Sequence, residues 1–485
     1  MIRIQVNHEM FAYDMYHILK AFFPGEKILQ SMDTASEQCV NIEIENQSFV
    51  IRNEELQDVT DRKLKKRYVN LTVYSWVSGI TGKTLSWGIM TGVRPTKPML
   101  QWMEAGQSDE EILYKMKEYY GVTKEKASLG LEVAKKEQSL LQQLDYKNGY
   151  SLYIGIPFCP TTCSYCSFTS YSIETWKHRV DEYLDAVCKE LSFIANVSKN
   201  KKLNTIYIGG GTPTTLEAEQ MDRLLTHLET NFSYEDLKEI TVEAGRPDSI
   251  TREKLEVLKA HKIGRISINP QTMQQKTLDI IGRKHSVEDI RVVYQMAREM
   301  GFENINMDLI AGLPEETPED MKDTLEQIKE LAPDSLTVHA LAMKRTSRLT
   351  QEKKDQVVDG KEEAKIAQTL SEMIEMARCY AEQMSLEPYY LYRQKNIAGN
   401  FENVGYAKVD KAGIYNILIM EEKQSIVAVG AGASTKIVIP DEQVVIDEKT
   451  GNPKKIVRSE NVRDIEQYIS RIDEMIERKG ELLWH

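Results

Sequence analysis

Leu152-Tyr-Ile-Gly-Ile-Pro-Phe-Cys159-Pro-Thr-Thr-Cys163-Ser-Tyr-Cys166 is a β-type run that leads straight into three cysteines. Its first half is apolar and ends at proline, as a short buried strand does. Its second half brings the thiols of Cys159, Cys163 and Cys166 close enough to share one metal centre. Structural zinc takes four ligands, commonly as two Cys/His pairs. Cys39, Cys188 and Cys379 are isolated, and no second C-x-x-C completes such a site. A four-iron cluster held by three thiolates leaves one iron open to another ligand. The plain alternative is three core cysteines or a redox-sensing thiol group.

Outward from this run, a strand–turn–helix pattern repeats to about Leu341. β-type runs recur at Leu152–Ile156, Thr205–Ile208, Ile240–Glu243, Arg265–Ile268, Asn304–Leu309 and Ser335–His339. Amphipathic helical stretches lie between them. Thr214-Thr-Leu-Glu217 and Ser286-Val-Glu-Asp289 have capping-box spacing, and Thr317-Pro-Glu-Asp320 adds proline at the first helical position. Six alternating units predict an α/β fold with a parallel sheet and crossover helices. A full eight-unit barrel takes about 250 residues. This stretch is shorter, so a partial six-unit (β/α) barrel over 150–345 is expected.

An N-terminal α+β extension, 1–145, is expected before the barrel. It has a strand at Ile2–Val6, an amphipathic stretch from Glu9, and a strand or hairpin at Val40–Ile51. Helical stretches follow at Arg62–Leu85, Pro95–Glu104 and Asp109–Leu144. A C-terminal α+β region, 346–485, is expected to close the barrel. It has a helix at Glu362–Gln383, strand-like runs at Gly413–Met420 and Gln424–Val429, a polar hairpin near Asp447–Pro453, and a final helix at Val462–Arg478.

The 485 residues are 41% hydrophobic and 28% charged, a soluble globular balance. The net charge of −12 argues against a nucleic-acid partner. Arg62-Lys-Leu-Lys-Lys-Arg67 is a local exception and reads as a solvated helix face. No apolar run reaches about 18 residues, so no membrane span is expected. The N-terminus lacks a signal-peptide core, and a cytoplasmic protein with reduced thiols is the expectation.

Active sites of parallel α/β barrels lie at the C-terminal ends of the strands. Here those ends carry, in order, the cysteines, Gly209-Gly-Gly-Thr-Pro-Thr214, Glu243 with Gly245-Arg246, Asn269-Pro-Gln271, Asn306-Met-Asp308 and His339. A purely structural barrel does not need polar groups at six successive strand ends. Gly209–Gly211 lets backbone N–H groups approach a ligand, although G-x-G-x-x-G spacing is absent.

The C-x3-C-x2-C spacing with an aromatic before the third cysteine resembles the radical S-adenosylmethionine (SAM) superfamily. That resemblance implies a [4Fe–4S] cluster whose open iron chelates SAM and cleaves it to a 5′-deoxyadenosyl radical. Tyr153, the Gly-Gly-Gly-Thr-Pro-Thr run, Gln271, Arg283 and Asp308-Leu-Ile-Ala-Gly-Leu-Pro314 narrow it. Together they resemble the oxygen-independent coproporphyrinogen III dehydrogenase branch, with its haem-chaperone (HemW-like) relatives. Thr91-Gly-Val-Arg-Pro-Thr-Lys97 resembles the HemZ-type group. By position, Tyr153, Gly210 and Glu243 would hold SAM, with Tyr153 and Glu243 in the catalytic set. Tyr165, Gly211, Thr212, Gln271, Arg283, Asp308 and Ala342 would line a second SAM pocket.

Two departures stand out: Gly155 where the dehydrogenase has His, and Phe168 where it has a fourth Cys. The resemblance implies oxidative decarboxylation of coproporphyrinogen III, with a low-potential donor such as flavodoxin or ferredoxin. Haem binding without that reaction, or radical chemistry on another tetrapyrrole such as haem, is the alternative. Arg94, Lys97, Arg345, Arg348 and Arg393 are candidate partners for substrate carboxylates. His178, His339 and Tyr389 are candidate haem ligands.

Overall fold

The computed structural model describes residues 1–23, 25–168, 170–341, 360–393, 401–446 and 453–484. Ala342, Arg345 and Arg348 lie outside them, as does most of the expected hairpin near Asp447–Pro453. The six barrel strands are Gly149–Ile156, Lys202–Gly210, Glu239–Gly245, Arg265–Ile268, Ile305–Ala311 and Ser335–Ala340. Each pairs in parallel with the next. The strands coincide with the predicted runs except at Asn304, which lies just before the fifth, and most are longer where sheet pairing carries polar residues into extended backbone. Helices Val180–Val197, Ala218–Asn231, Arg252–Ala260, Val287–Glu299 and Pro318–Leu331 cross between them.

Both edges of this sheet are extended by the C-terminal region. Ser425–Val429 joins the first barrel strand in parallel, pairing Ala428 with Tyr153. Ser434–Val438 and Ile456–Glu460 continue outward antiparallel. At the other edge, Glu402–Ala407 pairs antiparallel with the sixth barrel strand, followed by Glu387–Arg393. The result is an eleven-stranded sheet, and no pairing among the described residues joins its two edges. Glu402–Ala407 was not predicted. It is buried throughout, and a Cβ on Gly405 would meet the Tyr390 ring at 1.9 Å.

Capping explains several helix starts. Ser286/Asp289 and Thr317/Asp320 form both reciprocal bonds, the latter with Pro318 in the first turn. The expected box at Thr214 is displaced: Glu217 and Gln220 form it instead, after a short 3₁₀ turn at Pro213–Thr215. The long Asp109–Leu144 stretch is two helices, Asp109–Tyr120 and Lys124–Leu141. Gly121 ends the first at φ 66° and Thr123 caps the second. The final helix likewise breaks at Arg471 into Ile465–Ser470 and Ile472–Gly480.

Gly413–Met420 corrects the sequence reading outright: Ile414–Glu421 is a helix, not a strand. Periodicity cannot separate a short, continuously apolar helix from a buried strand. The deciding contact is non-local. Glu239, on the third barrel strand, accepts from the Ile414 N–H at 2.5 Å and the Tyr415 N–H at 3.4 Å. A carboxylate there satisfies the first turn of a helix.

Two large apolar clusters and a smaller third, around Leu141, Tyr389 and Leu418, organise the described residues. Residues from Ile2 to Ile89 pack around the four-stranded sheet Ile28–Met32, Ile2–Val6, Gln38–Ile44 and Gln47–Arg52. Helices Lys97–Glu104, Asp109–Tyr120 and Lys124–Leu141 contribute instead to the large barrel core. The extension is tied to the sheet by Glu402, which accepts from Trp87 Nε1 at 2.8 Å and pairs with Lys126.

Candidate functional site

The first barrel strand ends at Ile156, and the cysteine loop follows at once. Its two ends are pinned by pairing of Phe158–Cys159 with Tyr171–Ser172. Inside, the Cys166 N–H donates to the Cys163 carbonyl at 3.2 Å and the Ser164 N–H to the Ile281 carbonyl at 3.0 Å. Cys159 and Cys163 are buried, and Cys166 is partly open. Gly211 and Thr212 cross beneath, their N–H groups donating to the Ile156 and Phe158 carbonyls at 2.8 and 2.7 Å. A Cβ at Gly211 would lie 2.5 Å from the Phe158 carbonyl oxygen and 3.0 Å from Cys159 Sγ. Glycine there lets the second strand end run directly against the cysteine loop.

These elements bound one open cleft enclosing about 1160 Å³, part of it bulk solvent. All three cysteines line it, with Tyr165, Gly210, Gly211, Thr212, Glu243, Gln271, Arg283 and Asp308. Tyr153 does not line the cleft. It lies one layer deeper, beside the stacked pair Tyr207 and Tyr415 at centroid distances of 6.2 and 6.3 Å. Tyr207 donates its hydroxyl to Glu243. The sequence reading missed Tyr207, although its place two residues before Gly209 puts it on the same strand face.

Electrostatics separate the two cleft carboxyls. Burial pushes Glu243 up to about 7, opposed by the Tyr207 hydroxyl, reinforced by Asp308 and eased by the Gly210 N–H. For Asp308, burial is overcome by His339, Asn306 and Thr337, which hold its carboxyl below the usual range. Asn306 donates to it at 2.7 Å, and His339 Nε2 stands 3.9 Å away. His339 also shares a 3.2 Å hydrogen bond with Tyr392, and both line the cleft.

Several buried polar atoms here have no hydrogen-bond partner among the described residues: Asn269 Oδ1, Gln271 Oε1 and Arg283 Nε in the cleft lining, Ser164 Oγ in the cysteine loop and Ser267 Oγ on the fourth barrel strand. Gln271 also adopts φ 68°, a strained conformation for a non-glycine residue. Unpaired buried polar groups are costly, so a ligand that completes them is implied.

The thiols fit an iron–sulfur cluster. Burial pushes Cys159 up to about 11, partly offset by Thr212, with Cys166 and Cys163 adding to the rise. Three crowded thiolates need bound positive charge to exist together. Among the described residues no three His, Cys, Asp or Glu side chains converge on a single ion. A cubane has no such requirement, because each of its irons takes its own thiolate.

The remaining candidates lie elsewhere. Arg94 is paired with Glu422 at 2.7 Å, and Arg393 donates to the Met90 carbonyl at 2.6 Å. Neither lines the cleft, nor do Lys97, His178 or Tyr389. Arg94 instead ties the Thr91–Lys97 segment to the end of the Ile414–Glu421 helix, and the Arg393 N–H, on the edge strand, donates to the Val93 carbonyl at 2.7 Å. Tyr389 is fully buried and bonded to Asn416 at 3.0 Å.

Comparison with known proteins follows the same lines. The Radical SAM superfamily profile matches residues 153–328. The chain is 41% identical over 429 residues to the oxygen-independent coproporphyrinogen-III oxidase-like protein HemZ of Bacillus subtilis (strain 168), across 87% of this chain and 82% of that protein. The chain belongs to the HemZ-type group of the radical SAM superfamily. Its cofactors are therefore a [4Fe–4S] cluster and SAM. The heme chaperone HemW of the same organism is 38% identical over 192 residues, 39% of this chain and 50% of that protein. The coproporphyrinogen III oxidase HemN from Escherichia coli, a radical SAM enzyme, superposes with a TM-score of 0.53 at 23% identity. That match covers 70% of this chain and 73% of the other, and carries the fold alone. No helix among the described residues is long and apolar enough to cross a membrane.

Proposed function

We propose that this HemZ-type protein catalyses the oxygen-independent oxidative decarboxylation of coproporphyrinogen III. The observation that carries the reading is the mouth itself: a cysteine loop facing orphaned polar groups across one cleft. When bound, the cluster and SAM supply a carbon radical able to take a hydrogen atom from a substrate propionate β-carbon. Loss of CO2 and one electron, the latter to an acceptor, then leaves a vinyl group.

The protein's part is placement and exclusion of water. Gly210 and Gly211 offer close backbone approach, and Glu243 accepts hydrogen bonds from the SAM amine or ribose. Glu243 ionises near neutrality, so an arriving cation completes its charge. Tyr153 acts from behind, as part of the aromatic stack that fixes Tyr207 against Glu243. Tyr165, Gly211, Thr212, Gln271, Arg283 and Asp308 are assigned to a second SAM, with Arg283 placed for its carboxylate. Cytoplasmic location and a flavodoxin- or ferredoxin-type donor belong to the same reading.

The test is anaerobic turnover of reconstituted protein with SAM, reductant and coproporphyrinogen III. The expected result is a vinyl-bearing product together with 5′-deoxyadenosine. SAM cleavage without that product across a porphyrinogen panel refutes the substrate assignment. One observation favours haem instead: His339 is the candidate ligand that lines the cleft. Tight haem binding that His339→Ala abolishes, with no porphyrinogen turnover, is the result that selects this second reading.

A further inference from the structure

Arg246 ends the turn after the third barrel strand and is 3% exposed. Its guanidinium works in two directions. Nε and Nη2 grip Asp248 at 2.9 and 2.6 Å, a bidentate fork. Nη1 donates to Thr161 Oγ1 at 2.7 Å and to the Thr161 carbonyl at 2.9 Å, and stands 3.9 Å from Cys163 Sγ. Thr161 lies between the first two cysteines, and its hydroxyl donates to the Gly282 carbonyl at 3.0 Å.

Asp248 has its own support. His285 is buried, with Nδ1 3.7 Å from Asp248 Oδ1, an electrostatic contact longer than a hydrogen bond. Burial opposes ionisation of Asp248, and His285 and Arg246 overcome it, holding the carboxyl well below its usual range. Arg283 also interacts with Cys163. Cys159, by contrast, meets the Thr212 hydroxyl at 3.6 Å. Two guanidinium groups, Arg246 and Arg283, thus bring positive charge to Cys163, and that of Arg246 acts on Cys159 as well. Burying a guanidinium and a carboxylate costs several kcal/mol that apolar packing would avoid.

We propose that Arg246 is a positioning residue that fixes the loop between the first two cysteines and raises the reduction potential of the cluster through its charge at Cys163. An added electron makes the cluster more negative, so a fixed cation favours the reduced state. A donor to a ligand sulfur acts in the same direction. Asp248 holds the guanidinium in place and moderates its charge. Removing Arg246 and removing the charge of Asp248 therefore shift the potential in opposite senses. The proposal rests on the cluster and not on the tetrapyrrole, so a failed substrate assay leaves it standing.

The test is an anaerobic dye-mediated titration of the reconstituted full chain, without SAM, followed by the EPR signal of the reduced cluster. At the wild-type midpoint, Arg246→Gln should raise the oxidised-to-reduced ratio about tenfold, which is about 59 mV for one electron. Arg246→Lys keeps the charge and should stay closer to wild type than Arg246→Gln. Asp248→Asn should shift the ratio toward the reduced form. An unchanged midpoint in Arg246→Gln overturns the proposal. If Arg246→Gln holds too little cluster to titrate, Asp248→Asn decides alone, and an unchanged or more negative midpoint overturns it.

Discussion

The floor and the mouth of the barrel are both polar inside, yet they are finished differently. At the floor the charges and amides find partners. Arg265 Nη1 donates to Asn304, Ser335 and the Lys411 carbonyl at 2.9, 2.9 and 3.0 Å. Asn204, Gln424, Ser151 and Thr205 close a hydrogen-bonded set at 2.7–3.0 Å. Glu239 caps the helix that plugs this end. At the mouth, Asn269, Gln271, Arg283 and Ser164 keep buried atoms unpaired. A satisfied polar network rigidifies, while an unsatisfied one awaits its ligand. Stability should therefore be lost from the floor and function from the mouth.

The largest break in that contrast is at the cysteines. Cys159→Ala, Cys163→Ala or Cys166→Ala should each abolish SAM cleavage and lower bound iron and sulfide, with the apo chain still folded. Chemical iron analysis beside circular dichroism checks both halves. At the floor, Tyr415→Ala removes a buried ring stacked 4.4 Å from Tyr207. It should cost about 3–5 kcal/mol of stability, read by denaturant unfolding, while iron per folded chain is kept.

Glu243 sharpens the mouth side. Its folded pKa is pushed up to about 7, so the ionised form that accepts from SAM grows as pH rises. SAM affinity should improve about tenfold between about pH 6 and about pH 8, and Glu243→Gln should be weaker and flat. Calorimetry at several pH values measures it, and a flat wild-type profile contradicts the assignment.

One floor-side cluster, Glu137 with Thr96 and Glu421, breaks the rule from within, its buried oxygens lacking well-formed hydrogen bonds. Glu137 is fully buried beside the Thr96 hydroxyl and Glu421, the latter at the end of the plug helix. Burial, then Glu421, pushes its folded pKa well above its ordinary value. The folded state thus holds a proton that the unfolded state releases. Stability from this group is present below the ordinary glutamate range and falls as pH rises above it. Glu137→Gln should flatten that slope and gain about 1–2 kcal/mol at alkaline pH. The smallest stability change is expected at Gln271→Ala, under about 1 kcal/mol, because its side-chain oxygen has no bond to lose. Binding of a second SAM should nevertheless weaken.

Much of the barrel was legible because it is written locally. β-type runs, capping residues and glycines carry their own geometry, and the cysteine spacing is a property of one loop. Gly413–Met420 failed because its helix start is satisfied by Glu239, 175 and 176 residues earlier than the two N–H groups it accepts from. Tyr153 was expected to hold SAM, and only the strand register shows it beside Tyr207, one layer behind the cleft lining. Arg94, Lys97 and Arg393 were attractive as cations, and nothing local says that two of them are already paired.

By itself the sequence determined the class of chemistry: three thiolates in one loop, and polar groups at six strand ends. Those are short-range facts, fixed by spacing along the chain. Tertiary structure alone decided which polar groups are satisfied and which are left open. It placed a guanidinium at Cys163 and put Glu243 in a half-buried site that moves its ionisation toward neutrality. Hydrogen-bond satisfaction and desolvation depend on neighbours far apart in sequence, so they appear only once the sheet has assembled around them.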